Sequence, residues 1–557
     1  MNHHPQRKIR DLAPRLQYWE SRGGSENPAL VIQAHLADGG DLSPEAIRQL
    51  SARLEMPEAT LRGIASYYAD LRSPSEDQAG MLVCEGTSCQ LAGARQVRSQ
   101  LEEQGKQCQG VYCLGYCDRS PAVLDASKGL FIGDQAAKLE KAEAHLPDIR
   151  CATDRPIVTA RLNGSAVSLA KAREAGAYLA LEKALRAEPA KVLDEMEDSG
   201  ERGRGGAGFS TGRKWRACAE TEAPLRYVIA NGDEGDPGSY IDRVLMEKDP
   251  HGILEGMALC AYAVGASQGI LYVRSEYPNS IRVLQNAIHE AQEAGYLGET
   301  ILGTSFSFEV QIFPGMGSYV CGEETAMINA IEGLRGEVQI RPPYPTQQGL
   351  YGMPTVVNNV ETLINVPFIV REGAEAYRQF GTEASSGTKA LCLNHGFAKP
   401  GIVEVPFGIS LRSVIEDWGG GSRDGQPLAA VIIGGPMGSM VLPKDWDVPV
   451  CYETMAERGI QLGHGGLVAI PEDADFRGLL EHWIQFMIDE SCGKCVPCRL
   501  GSQCASNVLL AHKDRESAEA RLNEVFTAME MGSLCAFGQF MPGPMRQLIE
   551  HFGDRIF

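Results

Sequence analysis

The sequence predicts an α/β protein of several domains. Three observations lead there. The chain has 557 residues, against about 150 for a typical domain. It is 43% apolar and 22% charged, the balance of a globular protein. Helical and β-type runs also alternate through a glycine-dense middle, as in α/β domains. Net charge is −20, from 72 acidic and 52 basic residues, so the basic footprint of a general nucleic-acid binder is absent. The longest apolar-looking stretch, Ile253 to Val273, is broken by Glu255 and Gln268. It falls short of the roughly 20 continuous apolar residues that span a bilayer. Met1 to Glu20 mixes basic and acidic residues with no apolar h-region, which argues against a secretory signal and for a cytoplasmic chain.

Residues 1–150 read as a small α/β domain preceded by short helices. Ser43 is a helix N-cap with Pro44 at the first helical position. Met81 to Val83 form a strand leading into Cys84, and Ala122 to Leu124 form another, which puts the cysteines in loops at strand ends. Residues 151–185 read as a connector ending in an Ala-, Leu- and Glu-rich helix. Residues 186–380 carry the alternating α/β pattern. In 381–470, short β-type runs (Ile402 to Val405, Ala430 to Ile433) are punctuated by Gly419–Gly421 and Gly434–Gly435, which indicates a small β-rich domain. Residues 471–557 read as helical.

Sixteen cysteines in a cytoplasmic chain are metal ligands or free thiols rather than disulfides. Cys492, Cys495 and Cys498 stand two residues apart, with Cys535 further along. Three such thiolates can wrap one face of a cubane, and a distant fourth completes a [4Fe-4S] site. A structural zinc site is the other reading, but zinc usually takes two separated pairs. Cys504 is spare and expected to pack. Near the N-terminus, Cys84-x₄-Cys89 and Cys113-x₃-Cys117 suit a [2Fe-2S] centre, each pair holding one iron. Zinc or a redox thiol pair are the alternatives, and Cys108 is a competing ligand without a close partner.

Gly203-Arg204-Gly205-Gly206-Ala207-Gly208-Phe209 contains G-x-G-x-x-G. A dinucleotide fold needs a strand just before it, whereas Lys191 to Asp198 reads as helix. A glycine loop whose bare backbone admits a flat ring or a phosphate fits better, with Lys214 as a point charge; a surface turn is the plain alternative. Asn231, Asp233, Glu234 and Asp236 crowd one turn, where they can accept hydrogen bonds from ribose or ribityl hydroxyls, or simply form a solvated acidic loop. Tyr344 follows two prolines and is either a stacking platform or core.

These residues carry a family resemblance. Arg202 to Trp215, Asn231 to Gly238, Gly317 to Thr325, Pro342 to Glu361, Glu490 to Arg499 and Ser533 to Gly538 resemble the flavin-bearing NADH-oxidising subunit of respiratory complex I. Residues 1–150 resemble its thioredoxin-like [2Fe-2S] partner, here fused in front. The same module occurs in NAD-reducing hydrogenases and in molybdenum- or tungsten-dependent formate dehydrogenases. Glu276 to Asn279, Ile433 to Pro436, Asp447 to Pro449, Gly463 to Gly466 and Gly532 to Cys535 look most like the formate dehydrogenase β subunit.

The resemblance implies a thioredoxin-like domain, an FMN- and NAD-binding domain, a ubiquitin-like β-grasp domain and a helical [4Fe-4S] domain. It implies FMN contacts at Gly203, Arg204, Gly205, Lys214, Asn231, Asp233, Tyr319, Gly322, Asn358 and Asn359. It puts the nicotinamide nucleotide near Gly206, Phe209, Lys214, Glu324 and Tyr344, with Glu234, Asp236 and Glu323 completing the cofactor set. The cluster ligands are Cys84, Cys89, Cys113 and Cys117, and Cys492, Cys495, Cys498 and Cys535. Three positions depart from the family: Asp236 for Glu shortens its reach to an adenosine ribose, Tyr344 for Phe keeps a stacking ring, and Ser210 for Pro loosens the loop. No side chain is needed as nucleophile or general base, because hydride passes at the flavin. The expected role is a diaphorase subunit beside a catalytic subunit that holds a molybdenum or tungsten cofactor and further clusters, giving formate + NAD⁺ = CO₂ + NADH. The NADH dehydrogenase module of complex I or of a hydrogenase comes next, and a zinc-stapled binding scaffold is a remote alternative.

Overall fold

The computed structural model describes residues 27–72, 80–125, 128–140, 146–162, 167–511 and 514–557. The Met1 to Glu20 stretch read for a leader lies outside these. The first sheet comprises β1 (Met81–Cys84), β2 (Cys108–Val111), β3 (Ala122–Asp125) and β4 (Gly129–Ile132). Its order is β2-β1-β3-β4, with β2 parallel to β1 and the other pairs antiparallel. Met81, Val83, Val97, Leu101, Val123 and Phe131 close its small core.

The helices before it pack elsewhere. Pro44–Leu54 starts as the sequence indicates, with Ser43 Oγ accepting from the Ala46 amide at 3.3 Å. Ile32, Leu61, Tyr68 and Leu71 then share a core with Met316, Val320, Ala326 and Ile331 of the central domain. Tyr68 donates to the Leu334 carbonyl at 2.6 Å. The sheet already buries its own apolar face, so the apolar stripe of these helices is covered by the central domain.

After β5 (Ile149–Cys151) comes the central sheet, formed by β6 (Tyr227–Gly232), β7 (Gln268–Val273), β8 (Glu309–Pro314) and β9 (Thr355–Asn359). All its pairs are parallel and the order is β8-β7-β6-β9. The chain steps outward from β6 through β7 to β8, then returns to the other side of β6. Such a reversal leaves a crevice at the carboxyl ends of the two strands that flank it, the place where open α/β sheets take ligands. Here those strands are β6 and β9, with Asn231 in register with Asn359. Helices such as Pro250–Val264, buried along almost its whole length, cover the sheet.

The third sheet is built from β10 (Thr388–Leu393), β11 (Gly401–Pro406), β12 (Leu428–Ile433), β13 (Ser439–Val441) and β14 (Gly466–Pro471). It has a sixth member, β5, which pairs parallel with β11 at its edge. The stretch that reads as the start of a connector is thus partly sheet. Glu404 of β11, fully buried, fastens the segment just after β5. It accepts the amides of Ile157, Val158 and Thr159 at 2.8, 3.0 and 2.8 Å, and the hydroxyls of Thr159 and Thr388. After Phe476 the chain is helical, as expected.

The central and third domains are joined by a buried ion pair. Lys389 Nζ of β10 lies 2.5 Å from Glu361 Oε2, and both side chains are inaccessible to solvent. Glu361 also accepts the Ala390 amide at 3.0 Å. It stands two residues past Asn359, in the helix Val360–Glu372, so this pair fixes one wall of the crevice to the neighbouring domain. Removing one member of a buried pair strands the other charge. Lys389→Met should therefore lower stability by about 3–5 kcal/mol, and adding Glu361→Gln should restore part of it, read as paired shifts in the urea-unfolding midpoint.

Candidate functional site

Four motifs converge at the crevice. The glycine loop leaves the helix Pro189–Asp198 and enters the helix Thr211–Ala219, so the strand required by a dinucleotide fingerprint is absent, as the sequence indicates. The loop is pinched at its neck, where Gly203 donates to the Phe209 carbonyl at 2.8 Å. Gly206 has φ +125°, a conformation open to glycine alone, and Gly205 stands exposed beside Asn359. Ser210 is no mere loosening of the loop: its hydroxyl accepts the Arg213 amide and caps the helix that carries Lys214.

The acidic turn follows β6. Asn231 donates to the Gly322 carbonyl at 2.9 Å and accepts from the Asp233 amide at 3.0 Å. Asp233 Oδ2 is buried without a hydrogen-bond partner among the described residues, and burial raises its carboxyl well above the usual range. Asp236 accepts from the Tyr319 hydroxyl, and burial raises it too. Tyr319 is held in turn by its amide, which donates to Glu490 at 2.8 Å. Glu323 caps the helix Glu324–Ile331, taking the amides of Thr325 and Ala326.

A line of charge runs from this floor to the rim. Lys214 Nζ lies 3.3 Å from Glu324 and 3.0 Å from the Val357 carbonyl, and Arg341 lies 2.9 Å from the other oxygen of Glu324. Burial alone would raise the Glu324 carboxyl, but Lys214 and Arg341 carry it below its ordinary value. At the rim, Phe209 and Tyr344 expose about half their surface, 51% and 52%. Tyr344 is therefore not core.

Three of the expected cofactor residues have buried side chains that meet protein partners. Arg204 is fully buried, 2.6 Å from Glu201 and 2.7 Å from the Tyr377 hydroxyl, over the Phe407 ring. Glu234 is buried and accepts the Ser239 hydroxyl and the amides of Asp242 and Arg243 at 3.1, 3.0 and 2.9 Å. It thus caps the helix Ile241–Lys248 from inside. Burial and the nearby Asp242 push it up to about 7, against the pull of His464. Asn358 is buried with its amide oxygen taken by Trp215 Nε1 at 2.8 Å. All three carry a charge or amide into the layer beneath the crevice, where each meets protein partners, although Arg204 Nε and Nη1 stay without a hydrogen-bond partner among the described residues.

The thiols assemble as two sets. Cys84, Cys89, Cys113 and Cys117 are all buried, and Cys113 Sγ lies 3.6 Å from Cys117 Sγ. The Cys84 thiol is drawn down to about 7, chiefly by the Cys89 thiol and, against burial, by the amides of Gly86, Leu114 and Cys113. Their loop rests on the central domain: Arg243 donates to the Gly115 carbonyl at 2.8 Å, and Arg274 to those of Cys113 and Tyr112 at 2.6 and 2.9 Å. Cys108 stays apart on β2. In the second set Cys492, Cys498 and Cys535 are buried and Cys495 is half-exposed. Burial first, then the neighbouring thiols of the set, push Cys498 up to about 12. Cys504, expected to pack, is exposed. Soft thiolates gathered this way fit iron–sulfur clusters.

Residues 196–368 match the family model described as the Nuo51 FMN-binding domain, 478–556 the NADH-ubiquinone oxidoreductase-F iron-sulfur binding region, and 29–129 the thioredoxin-like [2Fe-2S] ferredoxin. The NADP-reducing hydrogenase subunit HndC of Solidesulfovibrio fructosivorans is 43% identical over 68% of this chain and 77% of its own length. An NADH-quinone oxidoreductase subunit of Escherichia coli is 37% identical over 69% and 88%. The chain belongs to the family of the NADH-oxidising flavoprotein subunit of complex I. In fold it is similar to a chain of an NAD⁺-reducing [NiFe]-hydrogenase, with a TM-score of 0.79 at 29% identity, covering 95% of this chain and 92% of that one.

As a family member the protein is an oxidoreductase flavoprotein subunit with FMN, [2Fe-2S] and [4Fe-4S] domains and NAD(H) as substrate. No helix among the described residues is long and apolar enough to cross a membrane. Sequence reading missed Arg243, Arg274, Asp242 and His464 as parts of the site. Isolated residues in strand ends and helices carry no spacing signal; only His464, set among glycines, stands out in the sequence. For the clusters, Cys535→Ser should lose the [4Fe-4S] share of iron and acid-labile sulfide while keeping flavin. Cys504→Ala should keep full iron, as measured on purified protein.

Proposed function

We propose that this diaphorase subunit serves a molybdenum- or tungsten-dependent formate dehydrogenase, passing electrons from the formate-oxidising subunit to NAD⁺. FMN, when bound, exchanges an electron pair with the nicotinamide as hydride and single electrons with iron–sulfur clusters. The chain's own residues orient and bind. The observation that carries the flavin site is the crevice between β6 and β9, where Asn231, Asp233, Gly322 and Asn359 line the ends of the strands. The unpartnered oxygen of Asp233 gives a ribityl hydroxyl an acceptor, and the bare backbone at Gly205 and Gly206 admits the flavin. Lys214 would supply positive charge to a bound phosphate. Phe209 and Tyr344 offer rings to the nicotinamide nucleotide at the rim.

Support for formate as the electron source is the likeness of Ile433 to Pro436 and Gly463 to Gly466 to the formate dehydrogenase β subunit. Both turns lie against the crevice: Gly435 packs on Asp236 and Gly463 beside Gly206. Sixteen cysteines, many of them buried thiols, suit the reducing cytoplasm. A hydrogenase is the second reading, favoured by the likeness to the HndC subunit and to the [NiFe]-hydrogenase chain; a complex I module follows from the NADH-quinone oxidoreductase relatives.

Metal analysis of the complex captured with this chain separates these readings. Molybdenum or tungsten beside iron, with formate-driven NAD⁺ reduction, is the expected result; nickel would move the partner to hydrogenase. For the rim, Tyr344→Ala should raise KM for NADH about 2- to 10-fold with kcat nearly unchanged, since it removes a stacking contact of about 0.5–1.5 kcal/mol made equally in ground and transition states.

A further inference from the structure

The turn Gly463–Gly466 belongs to the β-rich domain, yet it ends at the flavin crevice. Gly463 has φ +55°, and a Cβ there would fall 2.5 Å from Gly434, so only glycine permits the two turns to meet. The backbone of His464 adjoins the glycine loop, with its amide nitrogen 3.8 Å from where a Cβ on Gly206 would stand.

The His464 ring is buried and turned into an acidic layer. Its Nε2 lies 3.2 Å from Asp242 Oδ2, and its Nδ1 lies 3.9 Å from Glu234 Oε1. The same Asp242 Oδ2 accepts the Asn359 amide at 2.6 Å, and Asn359 Nδ2 stands 3.4 Å from the ring. Asn359 Oδ1 is fixed in turn by the Glu361 amide at 2.9 Å. The groups facing the ring are Glu234, Asp236, Asp242 and Lys389, and the ammonium of Lys389 is already committed to Glu361. Glu234, Asp242 and His464 are close enough to suggest a metal site. Glu234, however, already accepts four protein donors, the Tyr277 hydroxyl among them at 3.5 Å. Burial would lower the imidazole, but Asp242 and Glu234 outweigh it and raise it to about 9, which favours a protonated ring paired with Asp242.

We propose that His464 is a positioning residue of the flavin site: lent by the β-rich domain, it holds Asp242, and through it the Asn359 amide, in the orientation that FMN meets. This rests on the flavin site argued above. It also makes flavin binding depend on a domain that touches the crevice only at its edge.

The test is FMN titration of the flavin-depleted, cluster-loaded full chain, followed by flavin fluorescence. His464→Ala removes the partner of a buried carboxylate and should weaken FMN binding about 10- to 100-fold, with iron content kept at the wild-type level. His464→Gln restores an N–H at the Nε2 position and should return the Kd to within about 3-fold. Asn359→Ala should weaken binding similarly, and His464→Ala added to it should cost little more. If Asn359→Ala weakens binding while His464→Ala leaves it intact, the inference fails and the flavin site stands. The inference fails too if His464→Gln binds as poorly as His464→Ala. If wild type takes no FMN, or Asn359→Ala has no effect, the flavin reading fails with it.

Discussion

The carboxylate of Glu234 is where the structure is tied together. A buried polar group must be satisfied by the protein, and this carboxyl is met by two hydroxyls and two helix amides. Its own backbone carbonyl accepts from Arg274, and Arg274 also grips the Cys113 carbonyl. The residue after the capped helix start, Arg243, reaches the Gly115 carbonyl. One buried group thus sets the turn that lines the crevice, the start of a helix, and the seat of the loop carrying two of the N-terminal thiols. The turn cannot shift toward a ligand without uncapping the helix, so its polar groups are preorganised.

The domains are held in register by charge rather than by apolar contact alone. Lys389 with Glu361 and His464 with Asp242 both cross from the β-rich domain to the central one, and both reach residues next to or bonded to Asn359. Buried pairs add little net stability over apolar packing. They do penalise every arrangement in which the two surfaces slide, because any slip strands a charge.

Much of this was legible in the sequence. The Ser43 cap, the strands at Met81 to Val83 and Ala122 to Leu124, the helix ahead of the glycine loop and the two thiol sets all follow from local chemistry: capping, alternation and ligand spacing. The crevice itself was legible as motifs but not as geometry, since the reversal of strand order at β6 and β9 is a property of pairing between distant segments. The burial of the Arg204 and Glu234 side chains was hidden for a related reason. Their neighbours in sequence do line the crevice, but the alternating direction of a tight turn sends these two inward, and nothing local says which. The same blindness hid β5, whose partner strand among the described residues lies some 250 positions away, and the exposure of Cys504, which depends on which face of its helix packs.

The strand β5 and the three amides clasped by Glu404 also change what it means for the [2Fe-2S] domain to share a chain with the flavin domain. A loose linker would leave that domain free to wander and rebind. Here the connection is anchored in the third sheet before it reaches the central domain, so the leash is short. Rebinding after any detachment then occurs at the millimolar local concentrations typical of short tethers. Dilution, which separates subunits held only by surface contact, leaves this pairing untouched, and the cluster stays beside the flavin domain at any abundance of the protein.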